Sequence, residues 1–306
     1  MYMYLPIALT SVNYLLVVGL GLAVGLLSGL FGVGGGFLMT PLLMMIGIPP
    51  TIAAATDANQ IVAASASGTF SHWRLGNVDV KMGIYLLIGG FVGGAAGVQV
   101  IKALRAAGGA DFLIKMTYVV MLGVVGTFMF FESLHALRKN KQGAAKAAPK
   151  REKKGGVFAA LPMQTYFEKS GVTHSALVPL FLGTIVGVLA AIMGVGGGFL
   201  MVPVMIYMLR MPMHVVVGTS LFQILFTCIE VTFLQAYSNH TVDFFLAILL
   251  LLGSVFGAQI GTVLGKKLHG DQLKILLAII VLAVTVKIVL ELVMEPSILL
   301  SYAGGH

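Results

Sequence analysis

The chain has 306 residues, of which 58% are hydrophobic and only 10% are charged, and its formal net charge is +8. Apolar stretches such as 12–31, 82–101 and 244–265 reach the roughly 20 residues that a helix needs to cross a bilayer. They exclude a soluble globular protein, and the absence of alternating segments of about ten residues excludes an outer-membrane barrel. The sequence therefore predicts an all-α integral membrane protein with about ten hydrophobic segments.

Five apolar segments precede residue 134, and the second of them is only about 12 residues long. Because such a segment is too short for an ordinary span, 37–48 either crosses as a broken, tilted piece or turns back as a re-entrant hairpin. The same two alternatives apply to 199–210 in the second half. The five segments are 10–31, 37–48, 51–72, 82–103 and 112–133.

A basic stretch at 137–156, LRKNKQGAAKAAPKREKKGG, separates two apolar halves. Its Lys, Gly, Ala and Pro content cannot bury a core, and the positive-inside rule places it in the cytoplasm. We therefore predict a first transmembrane repeat at 1–133 and a second at 176–306. Between them, 134–175 is predicted to be a basic cytoplasmic linker with room for an interfacial segment.

A phrase of ten residues occurs twice, as GVGGGFLMTP at 32–41 and as GVGGGFLMVP at 194–203. The shift along the sequence that superimposes the two phrases also aligns later prolines, a glutamine and a Val-Asp pair to within two residues. The chain therefore reads as a duplicated unit. An odd number of crossings in each half would invert the second repeat and place both termini in the periplasm. Two inverted-topology repeats, with Gly-broken helices or re-entrant hairpins at the centre, are typical of secondary transporters.

The glycine runs are predicted to be functional because backbone at membrane depth must be buried in protein or line a wet cavity. Glycine permits left-handed backbone angles and lets a ligand reach peptide N–H groups. A helix that resumes at Phe37 or Phe199 would direct its free N–H groups and positive dipole end into the break, which favours an anion. Close helix packing is the alternative. The glycines predicted to bind substrate are Gly34, Gly35, Gly36, Gly196, Gly197 and Gly198.

A second glycine pattern has a spacing of four residues, which favours simple helix packing over ligand binding. Its members are Gly89, Gly93 and Gly97 in the first half and Gly253, Gly257 and Gly261 in the second half.

Polar residues are predicted to share one face of the helix that follows each break. Ser220, Gln223, Thr227 and Glu230 recur at spacings of three, four and three, which places them on one helical face. Their counterparts are Asp57, Gln60, Ala64 and Ser67. Hydrogen bonding between helices is the alternative role. The side chains predicted to bind substrate are Thr56, Asn59, Gln60, Thr219, Ser220 and Gln223.

Two acidic residues within these helices, Asp57 and Glu230, are candidates for ion coupling. An acidic residue deep in a span costs roughly 2.5 to 3.5 kcal/mol on insertion scales, and it usually marks an ion or proton pathway. A structural carboxylate or a position nearer the interface is the alternative.

The two glycine phrases, together with VVGTSLFQ at 216–223 and LGSVFGAQIGTVLGKKL at 252–268, resemble the TauE/SafE sulfite exporter family, also called the toluene-sulfonate uptake permease (TSUP) family. The resemblance covers nearly the whole chain except 134–156. It implies a bacterial inner-membrane transporter of sulfite, sulfoacetate, other organosulfonates or related sulfur-containing anions. The first half departs from many members because AATDANQ, at 54–60, places Asp57 where a Thr-Ser pair is usual.

The function predicted from these features is secondary transport, as an exporter or exchanger, of a small sulfur oxyanion or sulfonate across the lipid bilayer. A passive anion channel is the alternative, and a membrane redox enzyme is a weaker one. The seven histidines lie singly and Cys228 is the only cysteine, so we predict no enzymatic activity, metal or cofactor. No nucleic-acid partner is predicted, whereas the anion, the direction, the coupling ion and a homo-oligomeric state stay open.

Overall fold

A computed structural model describes residues 2–31, 36–140, 164–265 and 270–293. Within these ranges the chain forms long and short α-helices and two β-hairpins of four-residue strands. The prediction of an all-α membrane fold is confirmed in its main part. The hairpins were not predicted, and the first of them occupies the beginning of the segment expected to be a helix from residue 10.

The described elements form two series in the same order: a hairpin, a helix, a short helix and three further helices. The first series is β1 Tyr2–Leu5, β2 Thr10–Asn13, α1 Tyr14–Phe31, α2 Gly36–Met45, α3 Pro50–Arg74, α4 Val80–Ala106 and α5 Ala110–Asn140. The second series is β3 Gln164–Phe167, β4 Val172–Ser175, α6 Leu177–Met193, α7 Gly198–Tyr207, α8 Met213–Leu234, α9 Phe244–Gly265 and α10 Gly270–Val293. A π-helical turn, Gln235–Asn239, extends α8.

This order bears on the predicted boundaries of the two repeats. The second hairpin starts at Gln164, inside the segment predicted to be the linker, and α5 continues to Asn140 rather than ending near residue 133. Residues 141–163, which hold most of the basic stretch, lie outside the described residues. The division into two repeats and a cytoplasmic linker stays a prediction.

Four of the described helical segments are long and apolar enough to cross a membrane: Val80–Ala106, Ala110–Phe128, Met213–Asn239 and Phe244–Gly261. In contrast, α2 and α7 contain ten residues each. At a rise of about 1.5 Å per residue, each covers roughly half of a hydrocarbon core of about 30 Å. Neither short helix can therefore cross the bilayer alone.

Helix pairs from opposite halves pack through glycine, with α1 against α9 and α4 against α6. A Cβ atom on Gly93 would lie 2.0 Å from the Thr184 carbonyl oxygen, and one on Gly253 would lie 2.3 Å from the Val18 carbonyl oxygen. These distances leave no room for a side chain, so the helix-packing role predicted for the glycines with a spacing of four is confirmed at these positions.

The equivalent helices α3 and α8 contact each other, and two hydrogen bonds indicate that they run antiparallel. Near the start of α8, the Thr219 hydroxyl accepts a hydrogen bond of 3.0 Å from the backbone N–H of Asp79, which follows α3. Near the start of α3, the Thr56 hydroxyl accepts one of 3.1 Å from the backbone N–H of Asp243, which follows α8. This reciprocal arrangement supports the predicted inverted repeat, whose orientation in the membrane stays a prediction.

Each hairpin is attached by an aspartate to the loop that precedes α4 or α9. The Asp79 carboxylate accepts hydrogen bonds from the N–H of Met82, in the first turn of α4, and from the N–H and hydroxyl of Ser170 in the second hairpin. Asp243 accepts in the same way from Leu246, in the first turn of α9, and from Ile7 in the first hairpin. Both aspartates are buried, and each carboxylate joins the first turn of a helix to a hairpin.

Replacement of Asp79 by alanine is expected to destabilise the folded protein by roughly 2 to 4 kcal/mol, because an N-cap is lost and buried donors lose their acceptor. Thermal unfolding of the purified protein in detergent measures the effect. Glu168→Ala is the control, since Glu168 is an exposed carboxylate in the same hairpin. Equal melting temperatures for the two variants would contradict this role of Asp79.

Candidate functional site

The second glycine run forms a true break between α6 and α7. Gly194, Gly196 and Gly197 have positive φ angles of 71°, 69° and 76°, which side-chain-bearing residues rarely adopt, and α7 begins at Gly198. Residues 194–198 are all buried. In the first half, residues 32–35 lie outside the described residues, and so do the predictions for Gly34 and Gly35, whereas Gly36 is the first residue of α2.

The N-terminal ends of the two short helices meet. The rings of Phe37 and Phe199, the second residues of α2 and α7, stack with centroids 4.4 Å apart and an angle of 14° between their planes. No side chain caps α7. Each helix start carries the equivalent of about half a positive charge. Two adjacent positive ends repel each other, and an anion between them would relieve that repulsion.

Apolar side chains fill the space beside Gly36, at the start of α2, and beside Gly196 in the second break. A Cβ atom on Gly36 would lie 2.2 Å from Cδ1 of Ile61, and one on Gly196 would lie 2.5 Å from Sγ of Cys228. Ile61, Ile224 and Cys228 form one buried cluster. A small cavity of about 10 Å³ adjoins the second break. Its lining residues are Leu189, Met193, Val195, Gly197, Phe199 and Leu200.

The polar stripe of α8 lies against α4, as its spacing predicted for a single face. The Gln223 side-chain amide donates a hydrogen bond of 3.0 Å to the Thr227 hydroxyl, and both groups approach Gly90. One turn further, Oε2 of Glu230 would lie 2.9 Å from a Cβ atom on Gly94. Buried Oε1 of Gln223 and buried Oε2 of Glu230 have no hydrogen-bond partner. This face of α8 therefore carries two buried acceptor oxygens that receive no hydrogen bond in this conformation.

The other predicted binding residues occupy different surroundings. Thr56 and Thr219 accept the backbone hydrogen bonds that join the two halves, although each hydroxyl can also donate. Ser220 donates to the Val217 carbonyl oxygen within its own helix. Gln60 is buried, and its Oε1 has no hydrogen-bond partner, whereas Asn59 is half-buried. The two glutamines are thus the equivalent pair with unused acceptors, and a binding role for all six residues stays a prediction.

Asp57 lies at the junction of the two halves. Its Oδ2 accepts a hydrogen bond of 2.8 Å from the Thr40 hydroxyl on α2, while its buried Oδ1 has no partner. The Met193 carbonyl oxygen, at the end of α6, accepts from Thr40 at 3.5 Å and also from the Tyr118 hydroxyl. The side chains of Asp57, Thr40 and Tyr118 have no exposed surface.

Thr40 and Tyr118 were not predicted as site residues. For Thr40 the signal was present, because the two copies of the glycine phrase differ only at this position, where the second copy has Val202. Tyr118 lies in an ordinary apolar segment, and no feature of the sequence singles it out. In the described part of the chain, no group of three or more His, Cys, Asp or Glu residues is placed to hold a metal ion.

Apolar helices in a duplicated order define a multi-pass membrane protein. The chain belongs to the TauE/SafE family, because the family model described as Sulfite exporter TauE/SafE matches residues 17–288. This result confirms the family resemblance, and we describe the protein as a membrane transporter of the TauE/SafE type.

The relatives agree with this assignment. The chain is 26% identical over 291 residues to the probable membrane transporter protein YunE of Bacillus subtilis, covering 91% of the chain and 98% of the relative. It is 28% identical over 273 residues to the probable membrane transporter protein YjnA of the same organism, covering 88% and 97%. Sulfite exporter TauE/SafE family protein 1 of Arabidopsis thaliana is 33% identical over 110 residues, covering 36% of the chain and 24% of the relative. No solved structure matches the chain significantly.

Proposed function

We propose that the protein is a secondary transporter that exports or exchanges small sulfur-containing anions, such as sulfite or organosulfonates, across the bacterial inner membrane. The observation that carries this proposal is the meeting of two helix N-termini at Phe37 and Phe199 beside a glycine break. Their N–H groups and positive dipole ends suit an anion, and their membrane setting suits a transported one.

In this proposal the anion binds between the breaks once the apolar cluster has moved aside. The glycine backbone supplies N–H groups, and the amides of Gln60 and Gln223 supply donors from α3 and α8. Export needs no coupled ion, since a monovalent anion that leaves a negative interior gains about 2.3 kcal/mol per 100 mV. Import would need a coupled ion, and Asp57 and Glu230 are the carboxylates available to bind that ion.

The membrane orientation is part of the same proposal. The turn of the second hairpin contacts the loop at Asp79. The hairpin follows the basic stretch at 137–156 and the loop follows Arg74, and this basic charge favours the cytoplasm. The first hairpin contacts the loop near Asp243, at the opposite end of α3. These contacts support a cytoplasmic linker and periplasmic termini.

Binding is tested by thermal-shift measurements on the purified protein with sulfite, sulfate, thiosulfate, sulfoacetate, taurine and toluenesulfonate. A ligand at 100 times its Kd stabilises the folded state by about 2.7 kcal/mol, which is a measurable shift. We expect a selective shift that Gln223→Ala removes and Gln99→Ala, at an exposed position on α4, retains. A shift that Gln223→Ala leaves unchanged would contradict this placement of the site.

A further inference from the structure

The two halves carry different side chains at two equivalent positions close to the starts of the short helices. Thr40 and Asp57 in the first half correspond to Val202 and Ser220 in the second half. Because Thr40 donates to Asp57, the two differences form one structural unit, a carboxyl with its hydroxyl partner that only one repeat possesses. A symmetric anion site needs no such unit, which indicates a separate task.

The surroundings of Asp57 do not favour an isolated charge. Its hydrogen-bond donor is the hydroxyl of Thr40, and no cationic side chain of the described residues acts on it. The titratable groups that face it are the Tyr118 phenol on α5 and the Cys228 thiol on α8. A fully buried, unpaired carboxylate has a large desolvation penalty, which a bound proton or cation removes.

The hydrogen bonds show how such a proton would be sensed. The Thr40 hydroxyl has one hydrogen and two nearby acceptors, Oδ2 of Asp57 at 2.8 Å and the Met193 carbonyl oxygen at 3.5 Å. When Asp57 is ionised, that hydrogen goes to the carboxylate. When Asp57 carries a proton, its own O–H donates to Thr40, and the Thr40 hydrogen is released to the Met193 carbonyl.

We propose that Asp57 binds the coupling proton of this transporter and that Thr40 transmits its protonation state to the Met193 carbonyl, at the edge of the second glycine break. The inference rests on the proposed transport function and names its coupling ion. The proton comes from water on one side of the membrane, forms an O–H bond on Asp57 and returns to water on the other side, with no change in oxidation state.

A proton suits this position better than a metal ion. Ca²⁺ and Mg²⁺ take about six or more oxygen ligands, whereas Asp57, Thr40, Tyr118 and the Met193 carbonyl provide fewer. Gly36 and Ile61 also occupy the space beside the carboxylate. Glu230 is the less suitable carboxylate because it is only half-buried and faces Gly94 on α4, away from this set of hydrogen bonds.

Two measurements on the full-length protein test the inference. In proteoliposomes loaded with a pH-sensitive dye, a gradient of the transported sulfur anion is expected to drive proton movement in the wild type and in Glu230→Gln. Asp57→Asn is expected to lose the proton movement while anion exchange continues. Thr40→Val should also lose proton movement, whereas Thr40→Ser should retain it because serine keeps the hydroxyl.

Infrared difference spectroscopy gives a readout that does not depend on transport. A band from a protonated carboxyl is expected in the wild type and in Glu230→Gln, and it should be absent in Asp57→Asn. If the band is present but no sulfur anion moves, the proposed function fails and the proton site stands. A wild-type band that Asp57→Asn leaves intact, or anion transport coupled to sodium with no proton movement, overturns the inference.

Discussion

Replacement of Gly194 by alanine is expected to prevent most of the protein from folding. Its φ of 71° lies in the left-handed region, and the new Cβ atom would lie 2.0 Å from the Ala54 carbonyl oxygen near the start of α3. The backbone strain costs about 1 to 3 kcal/mol, and overpacking against a helix backbone that cannot move adds at least as much. The combined cost is a large fraction of the usual stability of a protein.

Gly108→Ala is the matched control for this substitution. Gly108 has a φ of 76°, yet no atom lies within 4 Å of its added Cβ position. The Gly108→Ala variant therefore has the backbone strain without the steric overlap. We expect its free energy of unfolding to fall by only about 1 kcal/mol. Size-exclusion profiles and thermal unfolding of both variants give the comparison. If Gly194→Ala folds as well as Gly108→Ala, the close approach of the break to α3 is wrong.

Gly93→Ala is expected to have the next largest effect, because it separates α4 from α6. The added methyl group would lie 2.0 Å from the Thr184 carbonyl oxygen, so the two helices would have to move apart along their whole contact. Close van der Waals packing is the main attraction between helices in a bilayer, and overpacking typically costs 1 to 3 kcal/mol or more. We expect a markedly lower melting temperature.

Gly123→Ala on α5 provides the comparison, since the nearest atom to its added Cβ is Cγ2 of Thr285 at an ordinary 3.8 Å. This variant should unfold at nearly the wild-type temperature, and its better helix propensity favours the folded state slightly. Melting temperatures that fall equally in the two variants would show that the glycine contact between α4 and α6 is not special.

Much of the architecture could be predicted because duplication leaves a direct trace in the sequence. The repeated glycine phrase indicated two equivalent breaks, and the structure forms one at 194–198 and begins α2 at Gly36 in the other half. The spacing of Gln223, Thr227 and Glu230 correctly indicated a shared helix face. Periodicity is reliable here because one helix determines which residues lie together.

The features that escaped prediction depend on contacts between distant segments. Each hairpin has strands of only four residues, too few for a periodic signal, and is held in place by Asp79 or Asp243 from far along the chain. Likewise, the contact of Thr40 with Asp57 and Met193 joins α2, α3 and α6. Spacing along a single helix cannot reveal such contacts.

The measurement that tests the central claim most directly is counterflow of sulfur-radiolabelled sulfite into sulfite-loaded proteoliposomes, repeated with unlabelled sulfonates as competitors. The account predicts saturable uptake that is faster when sulfite is present inside and that falls in Gln223→Ala but not in Gln99→Ala. Uptake no greater than in protein-free vesicles for every anion tested, with the protein shown to be folded, would contradict a sulfur-anion transporter. Flux that neither saturates nor responds to internal sulfite would contradict carrier-type exchange and indicate a channel.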